Sequence, residues 1–186
     1  MREIVKKNIS GREVLLLFIL TNFIYVLMLT FTIPKVMSDA QGLKLLDMMP
    51  GGYSAETVNT LFNTLGEKGR NAYLFMQLPL DMIYPFLFAI SSSVLLAYFL
   101  NKLEKLEVRL FYLCFIPLLA GAFDYCENIG IITMLNNYPE NSDFLSKATS
   151  VFTVLKSSCT VIYFIVLITI LIVLAFRKIS AKSFGV

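Results

Sequence analysis

Two carboxylates and an amide, Asp124, Glu127 and Asn128, stand at i, i+3 and i+4 inside an otherwise apolar run from about 110 to 135. That spacing puts the three side chains on one face of a helix. Ionisable groups in hydrocarbon are costly, so they face a bundle interior or a water-filled cavity. This face is therefore read as one wall of a site. Another acid, Asp81, lies in a second apolar run, with Gln77 and Tyr84 on its own face and Pro79 and Pro85 on either side. Proline removes a backbone donor and bends a helix, which frees carbonyls near Asp81. Lys156 and Asn22 sit in two further apolar runs.

Three carboxylates against one lysine cannot all be ionised cheaply in a low dielectric. Either one of them holds its proton or a cation is bound. A carboxylic acid kept neutral can give a proton while its partner accepts one. On that chemistry Asp81, Asp124 and Glu127 are the catalytic candidates. Asn22, Gln77, Tyr84, Asn128 and Lys156 are the substrate-binding candidates, with Tyr25, Tyr125 and Tyr163 as further hydrogen-bonding neighbours. The same three carboxylates are hard oxygen donors, so Asp81, Asp124 and Glu127 are also the candidate ligands of a divalent cation. Asp124-x-x-Glu127 has the spacing found in di-iron bundles but lacks their histidine, which argues against iron. The alternative is that the polar groups only tie helices together, each contributing on the order of 0.6 to 2 kcal/mol. Neutral Ser or Asn would do that at less cost than Asp and Glu.

The elements that must position these residues are four apolar segments, at about 14–33, 72–100, 110–135 and 148–176. Each is long enough to cross a bilayer, for which about 20 apolar residues suffice. The composition agrees: of the 186 residues, 57% are hydrophobic and only 16% charged. A soluble domain carries roughly 25% charged residues. The expectation is one all-α integral membrane domain over 1–186, an antiparallel four-helix bundle with short connections. The first span is expected to stop before Pro34 and to be retained rather than cleaved as a signal. The long outward loop, 35–70, carries a turn at Pro50-Gly51-Gly52 and a short amphipathic helix from Ala55 to Leu65, capped by Ser54 and broken by Gly66 and Gly69. That helix is read as lying on the membrane surface or covering the bundle.

Basic residues orient the chain. Arg2, Lys6, Lys7 and Arg12, then Lys102, Lys105 and Arg109, then Arg177, Lys178 and Lys182 fall on one side. Only Lys35, Lys44, Lys68, Arg70, Lys147 and Lys156 fall on the other. Positive residues stay inside, so both termini are placed in the cytoplasm of a multi-pass protein of the cell (plasma) membrane. Counting inward from the outer end of each span, Asn22, Asp81 and Asp124 lie about 15 to 16 Å deep and Lys156 about 12 Å. Four helices thus bring polar groups to one layer displaced toward the outside.

Histidine is absent, which excludes the usual zinc sites and every His-based base. No haem, zinc or nucleotide is expected. The net charge of +3 is too small and scattered for nucleic acid. Cys114, Cys126 and Cys159 form no C-x-x-C pair and are read as packing residues. Partners are therefore membrane lipids. The first function expected is binding, or acid/base processing, of a lipid-like or isoprenoid-like molecule. A cation-binding or ion-coupled transport protein is an alternative, for which four helices are few unless a homo-oligomer forms. A structural or scaffold subunit is another. The inner halves of the spans are nearly all apolar, with only Ser91, Ser92 and Ser93 as a polar patch, which argues against a pore.

Gly52-Tyr53-Ser54-x-Glu56, Leu65-Gly66-x-x-Gly69-Arg70-x-x-Tyr73, Asp81-x-x-x-Pro85 and Asp124-x-x-Glu127-Asn128 together resemble a group of small four-span bacterial membrane proteins of unassigned function. The resemblance covers roughly 50–130 and implies that the outer loop and the polar layer form one device. It draws in Arg70, just outside the second span, as a binder of a lipid phosphate or a substrate anion. More loosely, four spans, a long loop after the first and acids in the second are similar to the sterol-isomerase and sigma-2-receptor (EXPERA) superfamily. In those proteins acidic residues in a bundle engage sterols or cationic amphiphiles. The isomerase's histidine and tryptophans have no counterpart here.

Overall fold

Proline and polar side chains, rather than breaks in hydrophobicity, shape the helices. A computed structural model describes residues 10–104 and 108–183. The basic stretch with Arg2, Lys6 and Lys7, and Lys105 of the expected inner turn, lie outside the described residues, as do the side chains of Arg109 and Lys182. The described chain is helical throughout its regular structure, and no strand occurs among the described residues.

Helix α1 runs Gly11–Met37. Ser10 starts it with a capping box: its hydroxyl accepts from the Glu13 N–H and its own N–H donates to the Glu13 carboxylate, both at 3.3 Å. The expected stop before Pro34 does not occur. A π turn at Met28–Thr32 widens the backbone just ahead of the proline, and the helix continues to Met37. The wider turn accommodates the missing donor that would otherwise end the helix.

Helix α2 covers Ala55–Ala72, with Ser54 Oγ accepting from the Thr57 N–H at 3.1 Å. Gly66 interrupts it at φ 59° and ψ −176°, so the break expected there is present, whereas Gly69 stays helical. A second π turn, Tyr73–Gln77, again just precedes a proline, Pro79, and leads into α3, Leu78–Lys102. The second apolar segment is thus the later part of a longer element, Ala55–Lys102, rather than a helix beginning at 72. A short helix, Val108–Phe111, and a 3-10 turn, Tyr112–Phe115, precede α4, Ile116–Asn137. Helix α5 runs Asp143–Ser183, longer at both ends than its apolar stretch. Ser142 Oγ caps it by accepting from the Leu145 N–H at 3.1 Å.

Four helical stretches, Gly11–Met37, Ala55–Lys102, Tyr112–Asn137 and Asp143–Ser180, are long and apolar enough to cross a membrane. Helix α4 packs on both α3 and α5, and α1 packs on α3. Two glycines allow the close approach of α4. A Cβ on Gly121 would meet the Pro85 carbonyl oxygen and Ala89 Cβ at 2.9 Å, and one on Gly130 would overlap the Thr149 side chain. Small residues at such contacts are how membrane helices bring their backbones together. One buried apolar cluster gathers Val36, Leu46, Phe62, Leu65, Tyr73 and Ile131 at one end of the helices. Another gathers Leu96, Leu100, Leu103, Cys114, Tyr163 and Leu167 at the other. The polar candidates lie between the two. Helices α1 and α5 expose broad apolar faces, including Leu15, Phe23, Ile165 and Ile172, as lipid-facing helices do.

Candidate functional site

A cavity of about 430 Å³ lies where all four long helices meet. Tyr25, Met28, Leu29 and Ile33 of α1 form one wall, and Lys156, Ser157, Thr160 and Val161 of α5 the opposite wall. Asp81, Tyr84 and Phe88 of α3, with Ala120 and Asp124 of α4, form its back. Asp47, Met48 and Pro50, from the segment between α1 and α2, cover one end. Its walls are mainly aliphatic and aromatic with a few convergent polar groups, the usual make-up of a small-molecule site.

Local structure explains how the acids arrive there. In an unbroken helix the Asp81 carbonyl would accept from residue 85, but Pro85 has no N–H. The side-chain amide of Asn128 supplies the missing donor, at 2.7 Å from the Asp81 carbonyl oxygen. That bond locks α4 against α3 and sets Asn128, one turn from Asp124, inside the protein. The Tyr125 hydroxyl makes a second such tie, donating to the Met82 carbonyl at 2.9 Å. Asn128 therefore serves the α3–α4 contact and does not line the cavity.

On the α4–α5 side the charges close on one another. The Lys156 ammonium stands 3.1 Å from Asp124 Oδ1 and also pairs with Glu127 Oε2. The Thr153 hydroxyl donates to Glu127 Oε1 at 2.7 Å. Glu127 is fully buried behind the cavity wall. Burial of an ion pair is costly unless its remaining lone pairs are satisfied, and Thr153 answers that need.

On the α3 side the acids have no cationic partner among the described residues. Asp81 is only 4% exposed, lines the cavity, and its Oδ2 has no hydrogen-bond partner. Asp47 accepts from the Tyr73 hydroxyl at 2.6 Å and from Gln77 Nε2 at 3.5 Å, both neutral donors. Gln77 in turn accepts from the Thr32 hydroxyl, so the two π turns face each other through this pair. Gln77 thus positions Asp47 and does not itself reach the cavity.

The remaining candidates divide by position. Tyr84 lines the cavity and stacks on Tyr25, with ring centroids 5.5 Å apart. Tyr163 lies deeper, edge-on to Phe88 at 5.6 Å. Asn22 is turned outward and donates to the Phe18 carbonyl of its own helix at 2.8 Å. Arg70 lies away from the cavity: its guanidinium donates to the Phe62 carbonyl at 2.8 Å and stacks over the Tyr138 ring at 4.1 Å. Asp81, Asp124 and Glu127 do not converge as a ligand set, because Lys156 occupies the space between Asp124 and Glu127. Among the described residues no three His, Cys, Asp or Glu come close enough to share a metal ion.

Asp47 and Thr153 are functional candidates that the sequence does not single out, and Tyr53 entered there only as part of the Gly52-Tyr53-Ser54-x-Glu56 motif. Tyr53 belongs to the covering segment, and its N–H donates to Ser150 Oγ of α5 at 2.7 Å. Burial raises its phenol above the ordinary tyrosine value. Asp47 and Tyr53 together pin the segment 47–53 across the end of the cavity, from the α2–α3 junction to α5. No protein-family model, curated protein or solved structure matches this chain.

Proposed function

We propose that this is a multi-pass protein of the cell membrane that binds a lipid-like or isoprenoid-like molecule in its carboxylate cavity. In this reading the helices form an antiparallel bundle with both termini cytoplasmic, and the cavity is displaced toward the outer leaflet. The first half of α2, Ala55–Leu65, lies over the outer end with the 47–53 segment. The observation that carries the reading is the lining of the cavity. Apolar side chains of α1, Met28, Leu29 and Ile33, with Phe88 of α3 and Val161 of α5, meet a polar end made of Asp47, Asp81 and Asp124.

The route of entry supports a membrane-borne ligand. Leu29 and Val161 line the cavity and are 41% and 57% exposed, so its rim reaches the lipid-facing surface between α1 and α5. The other end is closed by Met48 and Pro50. An amphiphile entering sideways would leave its tail at this rim and carry its head to the acids. Acid/base processing would use Asp81 at the head group, since Asp124 is engaged by Lys156. The apolar cluster of Leu96, Leu100, Leu103 and Leu167 below the site favours binding over conduction.

The test is the lipid that travels with the protein. The wild type and a Leu29→Trp/Val161→Trp double variant are extracted from membranes in polymer-bounded discs, and bound lipids are measured by mass spectrometry. The expected result is a species enriched over the surrounding membrane in the wild type and depleted at least fivefold when the rim is blocked. Identical lipid profiles for both proteins would refute the reading.

A further inference from the structure

We infer that the head group of the bound amphiphile is a neutral polyol, one that carries two or more hydroxyls on adjacent carbons. The inference rests on reading the cavity as an amphiphile site, and it names the class of ligand. The polar end of the cavity offers both acceptors and donors. Asp81 Oδ2 is buried and has no partner among the described residues. Asp124 gives Oδ1 to Lys156 at 3.1 Å, which leaves its second oxygen to accept. On the donor side, the Lys156 ammonium uses two of its three N–H groups on Asp124 and Glu127. Tyr84 and Ser157 add hydroxyls from α3 and α5. Thr160 gives its proton to the Lys156 carbonyl at 2.9 Å and keeps its oxygen as an acceptor. An anionic head offers acceptors alone and would meet the carboxylates. A cationic head offers donors alone and would set its charge against Lys156. A hydroxyl does both, since it donates to a carboxylate and accepts from an ammonium or another hydroxyl. A single hydroxyl carries one proton, so it serves either Asp81 or Asp124 and leaves the other open. Both acids belong to the back of the cavity, and two adjacent hydroxyls serve both while bringing their oxygens to Lys156 and Ser157. Hydrogen bonds to ionised partners are the strong kind. A neutral head also leaves the charge of the buried Asp124–Lys156–Glu127 cluster unchanged. The tail would pass Tyr84 and Phe88 toward the Leu29–Val161 rim.

Five probes separate the possibilities in purified full-length protein in lipid discs: 1-O-dodecylglycerol, 1-dodecanol, dodecylammonium, dodecyl phosphate and glycerol. Binding is read from the concentration at which each raises the unfolding temperature, with the rim-blocked Leu29→Trp/Val161→Trp protein as the reference for effects on the disc. The expected result is 1-O-dodecylglycerol about tenfold or more stronger than each other dodecyl probe, the scale of one hydrogen bond to a charged group. Glycerol at the same concentration should give no shift. Asp81→Leu should bring 1-O-dodecylglycerol down to the level of 1-dodecanol. Equal binding of 1-dodecanol and 1-O-dodecylglycerol to the wild type overturns the polyol assignment while leaving the amphiphile site standing. Binding of dodecylammonium or dodecyl phosphate as strong as that of 1-O-dodecylglycerol overturns it in favour of a charged head. A shift from glycerol equal to that from 1-O-dodecylglycerol overturns it in favour of a water-borne polyol. Binding of no dodecyl probe overturns the polyol assignment and counts against the amphiphile reading as well. The wild-type comparison decides the matter even if Asp81→Leu fails to fold.

Discussion

The two sides of the cavity carry the same kind of residue in opposite circumstances. On the α4–α5 side, Asp124 and Glu127 share Lys156, and Thr153 completes the Glu127 carboxylate. On the α3 side, among the described residues, Asp81 has no partner for Oδ2, and Asp47 is held by the neutral donors Tyr73 and Gln77. The first arrangement is closed. Lys156 bridges its two carboxylates, which fixes α5 against α4. The second is open and waits for a donor. Position within one polar layer therefore does not give a residue its role; the presence or absence of a partner does.

The sharpest way to break the comparison is to remove the shared cation. Lys156→Met should leave two carboxylates buried without compensation and cost about 3–5 kcal/mol, the usual penalty for breaking a buried pair from one side. Unfolding measured in one detergent and at one pH would show it. Adding Asp124→Asn and Glu127→Gln to Lys156→Met should restore most of that loss, because the triple variant leaves no unpaired charge on the α4–α5 side. A Lys156→Met protein as stable as wild type would show that the closed side does not hold the helices.

Thr153→Val comes next. It removes a donor from a fully buried carboxylate while preserving shape, and should cost about 1.5–3 kcal/mol, the range for a hydrogen bond to a charged group. The same unfolding assay would detect it, and the loss should largely disappear in a Glu127→Gln background. A cost that persisted undiminished in that background would place the role of Thr153 elsewhere, in its packing.

On the open side the effects should shrink. Asp47→Asn keeps an oxygen to accept from Tyr73, so its cost should be about 1 kcal/mol. Its clearer effect should be on the covering segment. Amide hydrogen exchange around 45–53 should quicken, while exchange in α4 and α5 stays as in the wild type.

How much of this was legible in the sequence follows from what a one-dimensional pattern carries. Hydropathy alone placed the four spans, because about 20 apolar residues in a row have few other readings. Depth, counted along each helix, marked Asp81, Asp124 and Lys156, and all three line one cavity. The same count marked Asn22, which faces outward. Depth fixes the height of a residue in the membrane and leaves open its direction around the helix, and α1 has too uniform an apolar surface for its buried face to be read. The helix end at Pro34 was misplaced because a π turn absorbs the proline without interrupting the helix, and the start near residue 72 because the polar residues after Gly66 are already helical. Asp47 was invisible for another reason. It lies in a single 3-10 turn, Leu46–Met48, too short to show a periodicity, and only the folding of that segment over the cavity brings it near Tyr73 and Gln77.

The smallest expected change in stability is at Asp81, and it is the most informative for that reason. A residue kept for architecture should weaken the protein when it is altered. A residue kept for a ligand should not, and removing a buried unpartnered charge can even help. Asp81→Asn is nearly isosteric and leaves intact the backbone carbonyl that Asn128 binds. Without ligand, its stability should lie within about 0.5 kcal/mol of wild type or exceed it by up to about 1 kcal/mol, the scale of gain seen when a strained functional group is neutralised. Lipid retention should nevertheless fall toward that of the rim-blocked protein. Lys156→Met should do the reverse, losing stability first and ligand only as a consequence. If Asp81→Asn instead cost as much as Lys156→Met, the two sides of the cavity would be doing the same job, and the open carboxylate would be one more structural tie.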